Sequence, residues 1–140
     1  DLVNVRLILE PGIAEMAALN ATEEAILELR CCCERVEERI ASGDMYIQDD
    51  IAFHTSVARC SGNKVVEQLI PIIDTAVMMF VNVTHQRLTK ETVMTHRAIV
   101  DAISDRDPIG AKTAMMMHMT YNRNMILKLI REEKEKNHKE

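Results

Sequence analysis

Apolar residues recur every three or four positions along nearly the whole chain, and this spacing is typical of amphipathic α-helices. The spacing is interrupted at a few short polar stretches, which contain residues that end or cap helices. We therefore predict an all-α protein rather than a β-rich one. The predicted helices cover approximately residues 2–19, 22–42, 46–60, 64–83, 91–104 and 108–133.

The polar stretches also predict how the helices begin and how they are joined. Asn20 or Thr22 can cap the second helix, and Asp107 followed by Pro108 is a typical helix start. Because the turn before that start is short, the fifth and sixth helices should pack as an antiparallel pair. Within the fourth helix, Pro71 predicts either a kink or a split into two pieces.

The composition supports a single helical domain. Of 140 residues only four are glycine and three are proline, and 3% are aromatic. The formal net charge is −5 with acids and bases interspersed, so the chain lacks the basic stripe that binds nucleic-acid phosphates. No apolar run reaches about eighteen residues and no leader pattern is present, which argues against a membrane span or a signal peptide. We expect a cytoplasmic protein.

Three of the four cysteines, Cys31, Cys32 and Cys33, are adjacent within a predicted helix. Their side chains diverge around the helix axis, so we predict reduced thiols and not a disulfide framework. Cys33 also falls in the apolar series of its helix, which favours core packing over a metal-binding or redox role.

Four acidic or imidazole residues occupy positions where the helical period calls for an apolar side chain. Asp50 and His54 are four residues apart on the third helix and therefore lie one above the other on its apolar face. His96 and His118 interrupt the apolar series of the fifth and sixth helices. Both lie roughly ten residues from the connecting turn, so the two rings should be at a similar height.

A single histidine on an apolar face is more often a hydrogen-bonded core residue than a metal ligand, and Asp-x3-His alone is a weak motif. Four such residues on three helices, all facing inward, are harder to explain separately. A divalent cation would satisfy a buried carboxylate and three buried imidazoles together. These positions favour a metal site formed by Asp50, His54, His96 and His118, and the resemblance described next is the main ground for this prediction.

These residues belong to a series of short segments that resembles the FCD domain of the FadR subfamily of GntR transcriptional regulators. The resemblance extends over nearly the whole chain, in order and in spacing. Its segments are Arg6-Leu-Ile-Leu-Glu10, Ala17-Ala18 with Thr22, Asp50-Ile-Ala-Phe53-His54, Ser61-Gly62-Asn63, His96-Arg97-Ala98-Ile99, Asp101-Ala102-Ile103, and Ala111 with Met115 and His118-Met119.

The resemblance implies an antiparallel bundle of six to seven helices that forms a homodimer. It also implies a small carboxylic-acid effector bound at a divalent metal ion, with zinc, nickel or manganese as the expected metal and the four residues above as its ligands. No membrane partner is expected.

The resemblance assigns one further residue to the effector site. Arg6 matches an arginine that faces the effector cavity and can form paired hydrogen bonds with a carboxylate. The alternative for Arg6 is an exposed ion pair with Glu10. We expect Glu10 and Asn63 to be structural, the first as a packing or pairing residue and the second as a helix cap. We expect His85 to lie in an exposed loop rather than at the mouth of the pocket.

In this interpretation residues 1–133 form the effector-binding and dimerisation domain, and residues 134–140 form a charged C-terminal tail. The winged helix-turn-helix of such regulators has no counterpart in the sequence. DNA binding is therefore expected only for an intact protein of which this chain is a fragment. The leading hypothesis is a ligand sensor in which effector binding changes the packing of the dimer, without catalytic residues.

Two other functions remain as hypotheses. A metalloenzyme is one, because a metal ion with open positions can activate water. The sequence, however, has no His-Glu-x-x-His motif and no evident general base near the predicted ligands. The other is a structural dimerisation bundle whose core contains histidines but no metal.

Overall fold

The computed structural model describes residues 2–80 and 87–139, and within these ranges it contains helices and no strands. The all-α prediction is therefore confirmed. The six helices are α1 (Leu2–Asn20), α2 (Glu23–Ala41), α3 (Ile47–Cys60), α4 (Lys64–Phe80), α5 (Thr89–Ser104) and α6 (Pro108–Asn137).

The helix starts follow from capping side chains. Thr22 caps α2 by accepting a hydrogen bond from the amide of Ala25, and Asp107 caps α6 by accepting one from the amide of Gly110. The predicted cap Asn63 accepts from the second and third amides after it, at the start of α4. After α3, Gly62 adopts a φ of 74°, a left-handed conformation that glycine adopts without strain.

Several boundaries differ from the prediction. Helix α4 continues through Pro71 as one element, so the described residues form six helices and not seven. Helix α5 begins at Thr89, two residues earlier than predicted. Helix α6 extends about one turn beyond residue 133, because its charged end places glutamates four residues before lysines, as in Glu132 and Lys136. The predicted tail is therefore partly helical.

Helix α1 is the element around which the site is built. It packs against α3, α4, α5 and α6, while α2 packs against α3 and α5. Ala14, Ala17 and Ala18 on α1 are completely buried, and these small side chains allow its neighbours to approach closely. The largest fully buried apolar side chains of the core are Phe53, Leu29, Ile70, Ile99, Ile103, Met115, Val36 and Val57.

The cysteines behave as the sequence predicts. Cys33 is buried in the core, and burial raises the pKa of its thiol to about 12. Cys31 is exposed, and all four thiols are free. Among the described residues, none of the helices is both long enough and apolar enough to cross a membrane.

Candidate metal centre

The candidate metal centre begins on α3. Asp50 and His54 lie one helical turn apart, and they are 3% and 1% exposed. Asp50 lies in the first turn of α3, where the positive end of the helix dipole favours a carboxylate. The helix thus presents a carboxyl group and an imidazole together to the interior of the bundle.

Helices α5 and α6 bring the other two predicted ligands to the same place. His96 is completely buried and His118 is 3% exposed. Their ring centroids are 4.7 Å apart, so the height match predicted from the short connecting turn is found. The ring of Phe53 stacks on His96 at a centroid distance of 3.9 Å and an interplanar angle of 16°, which restricts the rotation of that imidazole.

The donor atoms of the four side chains converge on one point. Asp50 Oδ1 lies 3.5 Å from His54 Nε2 and 3.2 Å from His96 Nε2. His118 Nε2 lies 3.2 Å from His54 Nε2. One ligand atom from each of the four residues lies within 4.8 Å of all the others.

These separations are those of ligands around one ion. Donor atoms about 2.1 Å from a metal are about 3.0 Å apart at octahedral angles and about 3.4 Å apart at tetrahedral angles. Three of the observed separations, Asp50 to His54, Asp50 to His96 and His54 to His118, are 3.2–3.5 Å and lie close to these values. The donor set of one carboxylate and three imidazoles suits zinc, nickel or manganese. The residues therefore fit a divalent metal ion.

Two further side chains orient the imidazoles. His54 Nδ1 lies 2.7 Å from Glu10 Oε1, and His118 Nδ1 lies 2.7 Å from Thr95 Oγ1. The Thr95 hydroxyl donates to the carbonyl of Glu91, so its oxygen accepts from His118. The Thr95 contact places the proton of His118 on Nδ1, and the Glu10 carboxylate favours a proton on Nδ1 of His54, so in the neutral imidazoles the Nε2 lone pairs are directed at the centre, as in histidine ligands of metals.

A second buried cluster adjoins the first and contains Arg6. Its Nε donates to Glu10 Oε2 at 2.7 Å, and the same atom lies 3.0 Å from Asp74 Oδ1. Arg6, Glu10 and Asp74 are 3%, 2% and 0% exposed. The alternative of an exposed Arg6–Glu10 pair is therefore wrong. Glu10 is a pairing residue, as predicted, and it connects Arg6 to His54.

The ionisation of the two clusters follows from burial and mutual charge. Burial alone would raise the pKa of Glu10, but Arg6 and His54 outweigh it and lower this pKa to about 2. Burial would lower the pKa of His54, but Glu10 and Asp50 raise it to about 10. Burial, together with His96 and His54, lowers the pKa of His118. Burial and Glu10 raise the pKa of Asp74 to about 7.

Two residues of the site, Asp74 and Thr95, were not predicted from the sequence. Asp74 interrupts the apolar series Ile70, Asp74, Val77, which is the same signal that singled out the histidines. Thr95 carries no such signal, because threonine is common in helices that are partly buried. His85 lies outside the described residues.

The sequence of the chain matches a known family and several known proteins. The profile of the FCD domain matches residues 1–121. The chain belongs to the FCD domain family. This FCD domain is similar to the HTH-type transcriptional repressor NanR of Citrobacter rodentium, with 29% identity over 119 residues that cover 82% of the chain and 46% of NanR. It is also similar to the uncharacterized HTH-type transcriptional regulator YcbG of Bacillus subtilis, with 28% identity over 135 residues that cover 91% of the chain and 54% of YcbG.

The structural comparison agrees with the sequence comparison. The solved structure of Streptococcus agalactiae GntR matches with a TM-score of 0.80 and 30% identity, over 89% of the chain and 57% of that protein. The chain spans about half the length of these relatives. The chain is therefore an FCD domain, and the relatives of which it spans about half are named as transcriptional regulators and not as enzymes. The metalloenzyme hypothesis is therefore not supported.

Proposed function

We propose that this FCD domain senses a small carboxylic acid at a divalent metal ion held by Asp50, His54, His96 and His118. The convergence of four buried donor atoms carries this proposal. Burying a carboxylate among three imidazoles is costly in the absence of a cation, and a divalent ion would offset that cost. When bound, the ion supplies open coordination positions for the oxygens of an effector carboxylate.

Arg6 is the second residue of the proposed effector site. Its guanidinium is buried beside the cluster and retains its charge, because Glu10 and Asp74 raise its pKa although burial opposes this. A planar guanidinium can form two parallel hydrogen bonds with a carboxylate. An acid that binds the metal through one oxygen can therefore be oriented by Arg6 through the other.

The remaining parts of the function concern the intact regulator. We propose that it is a cytoplasmic homodimer whose FCD domains change their packing when the effector binds. DNA binding would belong to a separate domain, because the charge of this chain is negative and not suited to phosphates. In such an arrangement the effector alters the spacing of two DNA-binding heads.

Metal analysis of purified variants tests the proposal. We expect one divalent ion per chain in the wild type and in His138→Ala, which removes an exposed histidine at the end of α6. His96→Ala should lose the ion, because it removes a donor from the centre. Equal metal content in the two variants would contradict the site, and a well-folded wild type that takes up no zinc, nickel or manganese would favour the structural bundle.

Effector binding is tested separately with metal-loaded protein. A pool of small hydroxy and dicarboxylic acids should contain members that raise the thermal midpoint of the wild type, because a ligand of the native state stabilises it. The same acids should leave the His96→Ala variant unchanged. Acids that stabilise both proteins equally would place binding outside the metal centre.

A further inference from the structure

Asp74 is the acidic residue through which α4 reaches the buried cluster. Its side chain is completely buried, and its two oxygens lie 3.0 Å from Nε and 3.4 Å from Nη2 of Arg6. Arg6 is on α1, so this contact joins two helices that pack against each other. The pair is shielded from water on both sides.

The hydrogen bonding between Arg6 and Asp74 is less complete than that between Arg6 and Glu10. The Nε–H group of Arg6 is directed at Glu10, and Asp74 Oδ1 has no hydrogen-bond donor in suitable geometry among the described side chains. A buried oxygen without a donor destabilises the arrangement. Arg6 therefore holds Glu10 firmly and Asp74 weakly.

We propose that Asp74 occupies the place on Arg6 that the effector carboxylate takes, so that effector binding releases Asp74. This inference rests on the proposed function, because it requires Arg6 to be an effector residue. An effector carboxylate that is free to orient can form the paired hydrogen bonds that Asp74, fixed on α4, does not make. Asp74 belongs to α4, so its release from Arg6 weakens the contact between α4 and α1. Replacing the Asp74 carboxylate by that of the effector therefore changes the packing of these two helices.

Acetate is the probe for this exchange, because it carries a carboxylate and nothing else that binds. We expect Asp74→Asn in the metal-loaded chain to bind acetate at least about ten-fold more tightly than the wild type in calorimetric titrations, a change of about 1.4 kcal/mol. The matched control is Asp49→Asn, which removes a negative charge from α3 without contact to Arg6 and should leave the affinity unchanged. An Asp74→Asn variant that binds acetate no more tightly than the wild type would overturn the inference.

Hydrogen exchange provides a second and independent measurement. Acetate should accelerate exchange of the α4 amides in the wild type. In Asp74→Asn these amides should exchange faster already without acetate, and acetate should change them little. A crystal structure of the metal-loaded wild type with acetate on the ion and Asp74 still on Arg6 would also contradict the exchange.

The outcomes separate this inference from the proposed function. A chain that takes up no metal contradicts the proposed function itself. A chain that binds metal but binds acetate in no variant contradicts the effector role of Arg6, and the exchange with it. A chain that binds metal and acetate equally well in all variants supports the metal site and contradicts only the role of Asp74.

Discussion

Replacing Thr95 with valine tests whether the outer contacts of the site control its affinity for metal. The change preserves the shape of the side chain and removes the oxygen that accepts from His118 Nδ1 at 2.7 Å. Without that oxygen the proton of His118 has no fixed position and the ring can rotate. Loss of such an orienting contact lowers metal affinity by roughly 10- to 100-fold, or about 1.4–2.7 kcal/mol.

The chain contains a matched control for this substitution. The hydroxyl of Thr120 donates to the carbonyl four residues before it at 2.7 Å, as that of Thr95 does, but Thr120 is exposed and does not contact a histidine. Thr120→Val therefore removes the same backbone hydrogen bond without disturbing the site. The assay is competition with a chromophoric zinc chelator, and circular dichroism verifies the fold.

The zinc affinities of the two variants are expected to differ by the full factor given above. Thr95→Val should also lower the free energy of unfolding of the metal-free chain by about 1–3 kcal/mol, because the His118 donor becomes buried without an acceptor. Zinc affinities of Thr95→Val and Thr120→Val that agree within a factor of two would refute the reasoning that His118 is positioned by Thr95.

Three other predictions concern the core, the caps and the proton balance. Phe53→Ala removes a completely buried ring and the stacking partner of His96, so urea denaturation should show a loss of about 3–5 kcal/mol together with weaker metal binding. Asp107→Ala removes the cap of α6 and should lower the free energy of unfolding by about 1 kcal/mol, with metal affinity unchanged in the same chelator assay. The pKa of His54 is raised to about 10, so a proton must leave this imidazole before the ion binds. Zinc affinity should therefore rise about ten-fold per pH unit between about pH 6 and 8. A zinc affinity that does not change with pH would show that His54 is already neutral.

The sequence predicted the helices and the inward side chains because both depend on one local quantity, the helical period. Asp50 and His54 share a face whatever surrounds them. The approach of His96 and His118 could also be predicted, since a short turn fixes the relative height of two consecutive helices. Asp107 and Thr22 were recognisable as caps for the same reason, because capping acts within three or four residues.

The contact of Arg6 with Asp74 could not be predicted in this way. Its partner Asp74 is 68 residues away, and their meeting depends on the angle and the axial rotation at which α4 packs against α1. Neither quantity is set by a local pattern. The contact of Thr95 with His118 likewise depends on how α5 and α6 are rotated relative to each other. Sequence periodicity therefore identified the inner residues of the site and missed most of the side chains that orient them.

The charge of the buried clusters connects the metal site with Arg6. The two buried clusters together contain one guanidinium, Arg6, and three carboxylates, Glu10, Asp50 and Asp74, so two negative charges remain in excess when the imidazoles are neutral. In the metal-free chain Glu10 and Asp50 raise the pKa of His54, and burial together with Glu10 raises that of Asp74, so bound protons reduce this excess. A divalent cation compensates both charges at once and makes the interior neutral. An anionic effector then adds a negative charge to a balanced site, and burying an uncompensated charge is costly. It can be accommodated only if one carboxylate leaves its cation or takes up a proton, and Asp74 is the carboxylate that is held least firmly.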